Sequence, residues 1–164
     1  MPVTDVNKDL DALTMTITAD FDAGAERLWQ MWSDPRLLER WWGPPNFPAT
    51  FTDHDLTPGG RAAYFMTGPE GEKYHGWWRI EEAEPPNSLR FEDGFADDEG
   101  KPNPKMPTTT ATVTIAEADG TATMTIQSRF PDREGMEKMI EMQMEQGMTE
   151  AVDQIDALLA GESG

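Results

Sequence analysis

The chain has 164 residues, no cysteine, two histidines and a formal charge of −18, from 13 basic against 31 acidic side chains. That length makes one domain the default and can bury a core without disulfides, which the missing cysteines exclude along with thiolate chemistry. The charge repels nucleic-acid phosphates and anionic lipid, so neither DNA, RNA nor a membrane surface is an expected partner.

No apolar run reaches the roughly 18 residues of a membrane span. Residues 1–11 carry acids and no apolar stretch, so no secretory leader is expected and a cytoplasmic location is the default. They read as a flexible N-terminal arm, with one domain over 12–160 and a short tail over 161–164. Leu13, Met15, Ile17 and Ala19 alternate with Thr14, Thr16 and Thr18, the pattern of a strand with one buried face. Asp22 is placed to cap a helix running to about Trp32, in which Ala25, Leu28, Trp29 and Trp32 share one face. Ser33-Asp34-Pro35 stops that helix and starts a second, short one. It ends at Trp41-Trp42-Gly43-Pro44-Pro45, where the chain must turn.

A run of strands follows. Phe47 to Leu56 is predicted as one, turned back by Pro58-Gly59-Gly60 into the alternating Ala62, Tyr64 and Met66. A longer strand spans Lys73 to Glu84. Its alternation sends Trp77 and Trp78 to opposite faces, so only one can point inward. Leu89 and Phe91 open the next. Thr108 to Glu117 and Thr121 to Phe130 form a hairpin around Asp119-Gly120, a pair suited to the positive φ angles of a tight turn. Before that hairpin, Asp93 to Pro107, rich in Gly, Pro, Asp and Asn, is too long for a turn and reads either as a solvated connection or as a lid.

Pro131-Asp132 then starts a long helix to about Ala160. Met136, Met139, Ile140, Gln143 and Met144 lie on one face of its first half. Met148, Ala151, Val152, Ile155, Leu158 and Leu159 form a second apolar set, rotated by roughly 80° from the first. The halves are therefore expected to face different things, with Gly147 as the place for a bend. Methionine is flexible and polarizable and suits the wall of an adaptable pocket, though it also fills gaps in a core. Consecutive strands on short turns give an α+β chain: a curved seven-stranded antiparallel sheet around the terminal helix, with two short helices after the first strand.

Several motifs resemble one family. Glu26-Arg27-Leu28-Trp29, Ser33-Asp34-Pro35, Arg40-Trp41-Trp42-Gly43-Pro44 and Asp55-Leu56-Thr57-Pro58-Gly59-Gly60-Arg61 look like successive signatures of the activator of heat-shock protein 90 ATPase-like family. Pro85-Pro86 with Leu89, and Gly147-Met148 before Ile155-Asp156-Ala157-Leu158-Leu159, extend the match, although Trp commonly follows that glycine. This family lies in the START-like (SRPBCC) superfamily, with the birch pollen allergen, polyketide cyclases and lipid-transfer domains. The resemblance implies a helix-grip fold with an apolar cavity between sheet and helix. It leaves function open, because that scaffold hosts many functions.

Trp41, Trp42, Tyr64, Met66, Trp78, Phe91, Met139, Gln143 and Met144 are the expected lining of such a cavity, with Tyr64 and Gln143 as its polar contacts. The expected ligand is small and hydrophobic or aromatic. An enzyme of the cyclase or hydrolase type is the alternative, with His75 or Tyr64 as the group that would move a proton. A third reading is a chaperone co-factor that stimulates an ATPase, although the extra N-terminal domain expected of eukaryotic activators is not seen in the sequence. A homodimer through the first or second strand as an open edge is a fourth. Asp53-His54-Asp55 alternates in direction and cannot converge on a metal, so no metal site is expected. No phosphate loop, dinucleotide fingerprint or nucleophile elbow is present, and no cofactor is expected.

Overall fold

The computed structural model describes residues 3–43 and 45–161. In chain order the elements are β1 (Val3–Asp9), β2 (Thr14–Phe21), α1 (Ala25–Ser33), α2 (Pro35–Trp41), β3 (Ala49–His54) and β4 (Arg61–Thr67). They continue with β5 (Lys73–Glu84), β6 (Ser88–Phe95), β7 (Thr109–Ala118), β8 (Thr121–Arg129), α3 (Arg133–Glu141) and α4 (Met144–Gly161). The strands form one antiparallel sheet in the order β1-β2-β8-β7-β6-β5-β4-β3. The run β3 to β8 is a meander: consecutive strands pair as neighbours, on short turns except for the longer 96–108 connection between β6 and β7. This α+β chain has the helix-grip fold.

Eight strands, not seven, build the sheet, and the extra one comes from the expected arm. Val3–Asp9 pairs along β2, from Val3 opposite Ala19 to Asp9 opposite Thr14. Its alternation was masked by charge: Val3 and Val6 are only partly buried and the rest of the strand is exposed. The strand beginning near Leu13 is thus flanked by β1 and β8 and is no edge; β1 and β3 are the edges. The expected tail over 161–164 lies outside the described residues, apart from the Gly161 backbone that ends α4.

Local chemistry sets the helix ends. Asp34 caps α2 by accepting from the Arg36 N–H at 2.9 Å, with Pro35 at the first helical position. Asp132 caps α3 by accepting from Gly135 N–H at 2.6 Å. The α1 cap differs from expectation. Gly24, not Asp22, is the capping position, and the Glu117 side chain reaches across from β7 to accept the Ala25 N–H at 2.6 Å.

The terminal helix is broken. α3 stops at Glu141, and Gln143 takes a left-handed φ of 62° before α4 begins at Met144. The break therefore falls four residues before Gly147. It achieves what the two rotated apolar sets require: Met136 packs with Met15, Ile17 and Phe130, while Ala151, Val152, Ile155 and Leu158 enter the main core. Gln154 ties α4 to the end of α2, its Nε2 donating to the Gly43 carbonyl at 2.7 Å and to that of Trp41 at 3.2 Å. No helix among the described residues is long and apolar enough to cross a membrane.

Candidate functional site

An aromatic cluster joins the sheet's inner face to α1 and α2. Trp32, Trp41, Trp42, Phe51, Tyr64, Trp78 and Phe91 are all buried. Trp78 stacks on Phe91 with centroids 4.2 Å apart, and Trp42 meets Trp78 edge-on at 4.8 Å. Such arrangements put the positive ring edge against the negative face. Trp41 is fixed by its Nε1–H, which donates to the Met31 carbonyl at 2.9 Å, and Trp32 Nε1–H points at Met124 Sδ at 3.3 Å.

Beside this cluster the interior stops short of filling. A cavity of about 240 Å3 lies between β4, β6 and the α3–α4 corner. The sheet contributes Tyr64, Met66, Asp93 and Phe95, and Trp42 closes one side. The corner contributes Met139, Met142, Gln143, Met144, Gly147 and Met148. A narrow extension of about 50 Å3 runs past Gly94, Pro107 and Thr109. An engineered apolar cavity of about 150 Å3 holds benzene, so this space suits one substituted ring or a small bicycle.

The polar end is a pair of side chains. Tyr64 Oη–H donates to Asp93 Oδ1 at 3.3 Å. Burial pushes the Asp93 carboxyl up to about 7, against the Tyr64 and Gly94 donors that favour its charged form. Burial, reinforced by the Asp93 charge, likewise holds the Tyr64 phenol well above its usual range. The indoles of Trp42 and Trp78 act on that phenol in the opposite sense. Neither indole N–H reaches a partner at good hydrogen-bond geometry, although both are fully buried. The polar end thus combines a neutral phenol, the unpaired Trp42 N–H and a carboxyl that titrates near neutrality, with the unpaired Trp78 N–H enclosed behind it.

Of the expected lining, Trp42, Tyr64, Met66, Met139, Gln143 and Met144 reach the cavity. Trp41, Trp78 and Phe91 do not; they are fully enclosed behind it as packing. His75 does not face the cavity either. It shares the outer face of β5 with Trp77 and lies 5.6 Å from the Phe65 ring. His54 Nε2–H donates to the Trp32 carbonyl at 2.9 Å, while Asp55 accepts from Thr57, so the two serve local structure.

Asp93 is not among the expected lining, because in the sequence it reads as the start of a loop. The strand runs on to Phe95, and the period-two pattern of Leu89 and Phe91 carries Asp93 and Phe95 inward. The loop after it folds on itself through an Ala96–Pro102 bridge and the Asp97 N–H to Lys101 carbonyl bond of 2.8 Å. Of that loop, only Pro107 reaches the cavity's extension.

The family described as Activator of Hsp90 ATPase homolog 1-like protein matches residues 22–160, nearly the whole of the helix-grip domain. The chain belongs to this family. Its structure is similar to that of protein Ms6760 from Mycobacterium smegmatis, at 50% identity over 96% of this chain and 97% of that one, with a TM-score of 0.89. A protein from Arthrobacter aurescens is 52% identical over 97% of this chain and 92% of that one, with a TM-score of 0.94. DynU16, from the dynemicin biosynthetic locus, shares the fold alone: 17% identity over 90% of this chain and 47% of that one, with a TM-score of 0.67. No curated protein matches the chain.

Proposed function

We propose that this member of the family binds a small apolar or aromatic molecule in the cavity between sheet and helix corner. One observation carries this reading. The unfilled space of about 240 Å3 is walled by methionines and aromatic rings and ends in the Tyr64–Asp93 pair. Sites of this kind take the apolar body of a ligand on their walls and orient it with a few polar groups. The methionine side chains are unbranched and can adjust to the shape of what enters. Trp42 stands on the wall and reports occupancy. A broad set of small hydrophobic compounds is expected to yield some that quench tryptophan fluorescence and raise the melting temperature. Silence across such a set in both measurements overturns the reading.

The same pair favours a second reading, an enzyme that moves a proton on the bound molecule. A carboxyl held near 7 is suited to act as acid or base at neutral pH. Asp93, rather than His75, would be the group in contact with substrate. Chemical change of a bound compound by the native chain, lost in Asp93→Asn with binding kept, distinguishes this from binding alone.

A further inference from the structure

Asp93 is alone in a specific sense. Among the described residues that line the cavity and its extension, no lysine, arginine or histidine appears. Asp93 makes no ion pair with any described residue. The elements around it bring Tyr64 from β4, Trp78 as its register partner on β5, Thr109 as its partner on β7, and the methionines of the α3–α4 corner. Tyr64 is the one other titratable group among these, and it stays neutral. A carboxylate offers about four lone-pair directions. Here the protein supplies the Tyr64 hydroxyl and the Gly94 N–H, leaving acceptor capacity turned to the cavity.

An unpaired carboxylate in an apolar wall is costly unless a cation meets it. The protein brings none from its own chain, and its charge of −18 concentrates cations and repels anions at every approach. Trp42 and Phe95 also stand on the wall, and an aromatic ring attracts a cation that comes over its face. An anionic ligand would meet Asp93 with no compensating charge.

Resting on the binding function proposed above, we propose that the molecule bound is a small apolar amine. Its ammonium group pairs with the Asp93 carboxylate, and its hydrocarbon or aromatic body lies against Trp42, Met66, Met139 and Met144. The sign of the pH effect follows. The bound ammonium draws Asp93 into its charged form, so affinity rises as pH climbs through about 7 and levels off until the amine itself loses its proton, near pH 10.

The test uses three near-isosteric probes, phenethylamine, phenethyl alcohol and hydrocinnamate, titrated into the full chain by calorimetry at about pH 6 and about pH 8. The amine is expected to bind at least about tenfold tighter than the alcohol at the higher pH, and to gain roughly tenfold between the two, the change in Asp93 ionisation. Asp93→Asn is expected to bring amine and alcohol level. The native-chain comparison stands whether or not that variant folds. Binding of alcohol or hydrocinnamate as tight as that of the amine overturns the proposal. So does tryptophan quenching by neutral hydrophobic compounds with none by amines, which leaves the binding function intact. No response to any compound of either kind overturns both.

Discussion

Gly76 lies directly beneath the ring of Tyr64: a methyl group at position 76 would come within 2.4 Å of both Cζ and Oη of that phenol. The two are register partners across β4 and β5. The bare backbone of one strand is thus the floor on which the other's side chain rests, and it aims the hydroxyl at Asp93. Gly76→Ala is expected to lift the ring, break its bond to Asp93 and destabilise the protein by about 1–3 kcal/mol, the usual range for overpacking. Urea unfolding reads the loss. An alanine variant as stable as the parent would show that the ring is not seated there.

Asp93 links stability to pH. Its carboxyl holds a proton to about 7 in the folded state but only to about 4 when unfolded. The folded chain therefore binds the extra proton between those values. The stability associated with it is full below pH 4 and is lost as pH rises through 7. Asp93→Asn cannot ionise, and its amide oxygen can still accept from Tyr64. Because Asp93 is half-buried, water screens part of the cost, and the variant is expected to gain about 1–3 kcal/mol at pH 8 and little at pH 4. An equal effect at both values would remove the linkage.

Tyr64→Phe deletes the donor that favours the charged carboxyl. The Asp93 midpoint is expected to move further up from about 7, followed by the carboxyl carbon resonance in a pH titration. The lost hydrogen bond costs about 0.5–1.5 kcal/mol. A midpoint that stays put or falls contradicts the pairing.

At the helix corner, Gln143 holds a conformation that only glycine adopts freely. Gln143→Gly is expected to leave stability unchanged or raise it by up to about 1 kcal/mol, and Gln143→Val to lower it by about 1–2 kcal/mol. Thermal denaturation of the pair checks the order. If valine is the better tolerated, the break lies elsewhere.

How far the sequence revealed this arrangement depends on which signals were local. Alternation in Ala62, Tyr64 and Met66 placed β4 correctly, and Asp119-Gly120 has the two positive φ angles its turn needs. The offset between the Met136–Met144 and Ala151–Leu158 sets foretold two directions for the terminal helix. It could not locate the break, because Gln143 takes its unusual φ for the packing around it and not from its own preference. The edge strand β1 has no clear signal in the sequence, because its side chains are mostly wet and its strand form rests on pairing with β2. His75 sits on a strand rich in aromatic residues, but parity puts it with Trp77 on the outer face. Asp93 was hidden by composition: the Gly, Pro and Asp that follow it resemble loop, although the strand runs two residues past it.

The crowding of thioethers at the cavity has a chemical cost. Met66, Met139, Met142, Met144 and Met148 line it, and Met142 is 50% exposed. Mild peroxide reaches such sulfurs first and converts them to sulfoxides, each a new dipole on a surface made to be oily. Met15, Met31, Met124 and Met136 are sealed inside the fold and are reached last. Under oxidative stress the protein would then lose the apolar character of this cavity while its scaffold still stood, and reductive repair of a few surface sulfurs would be enough to restore it.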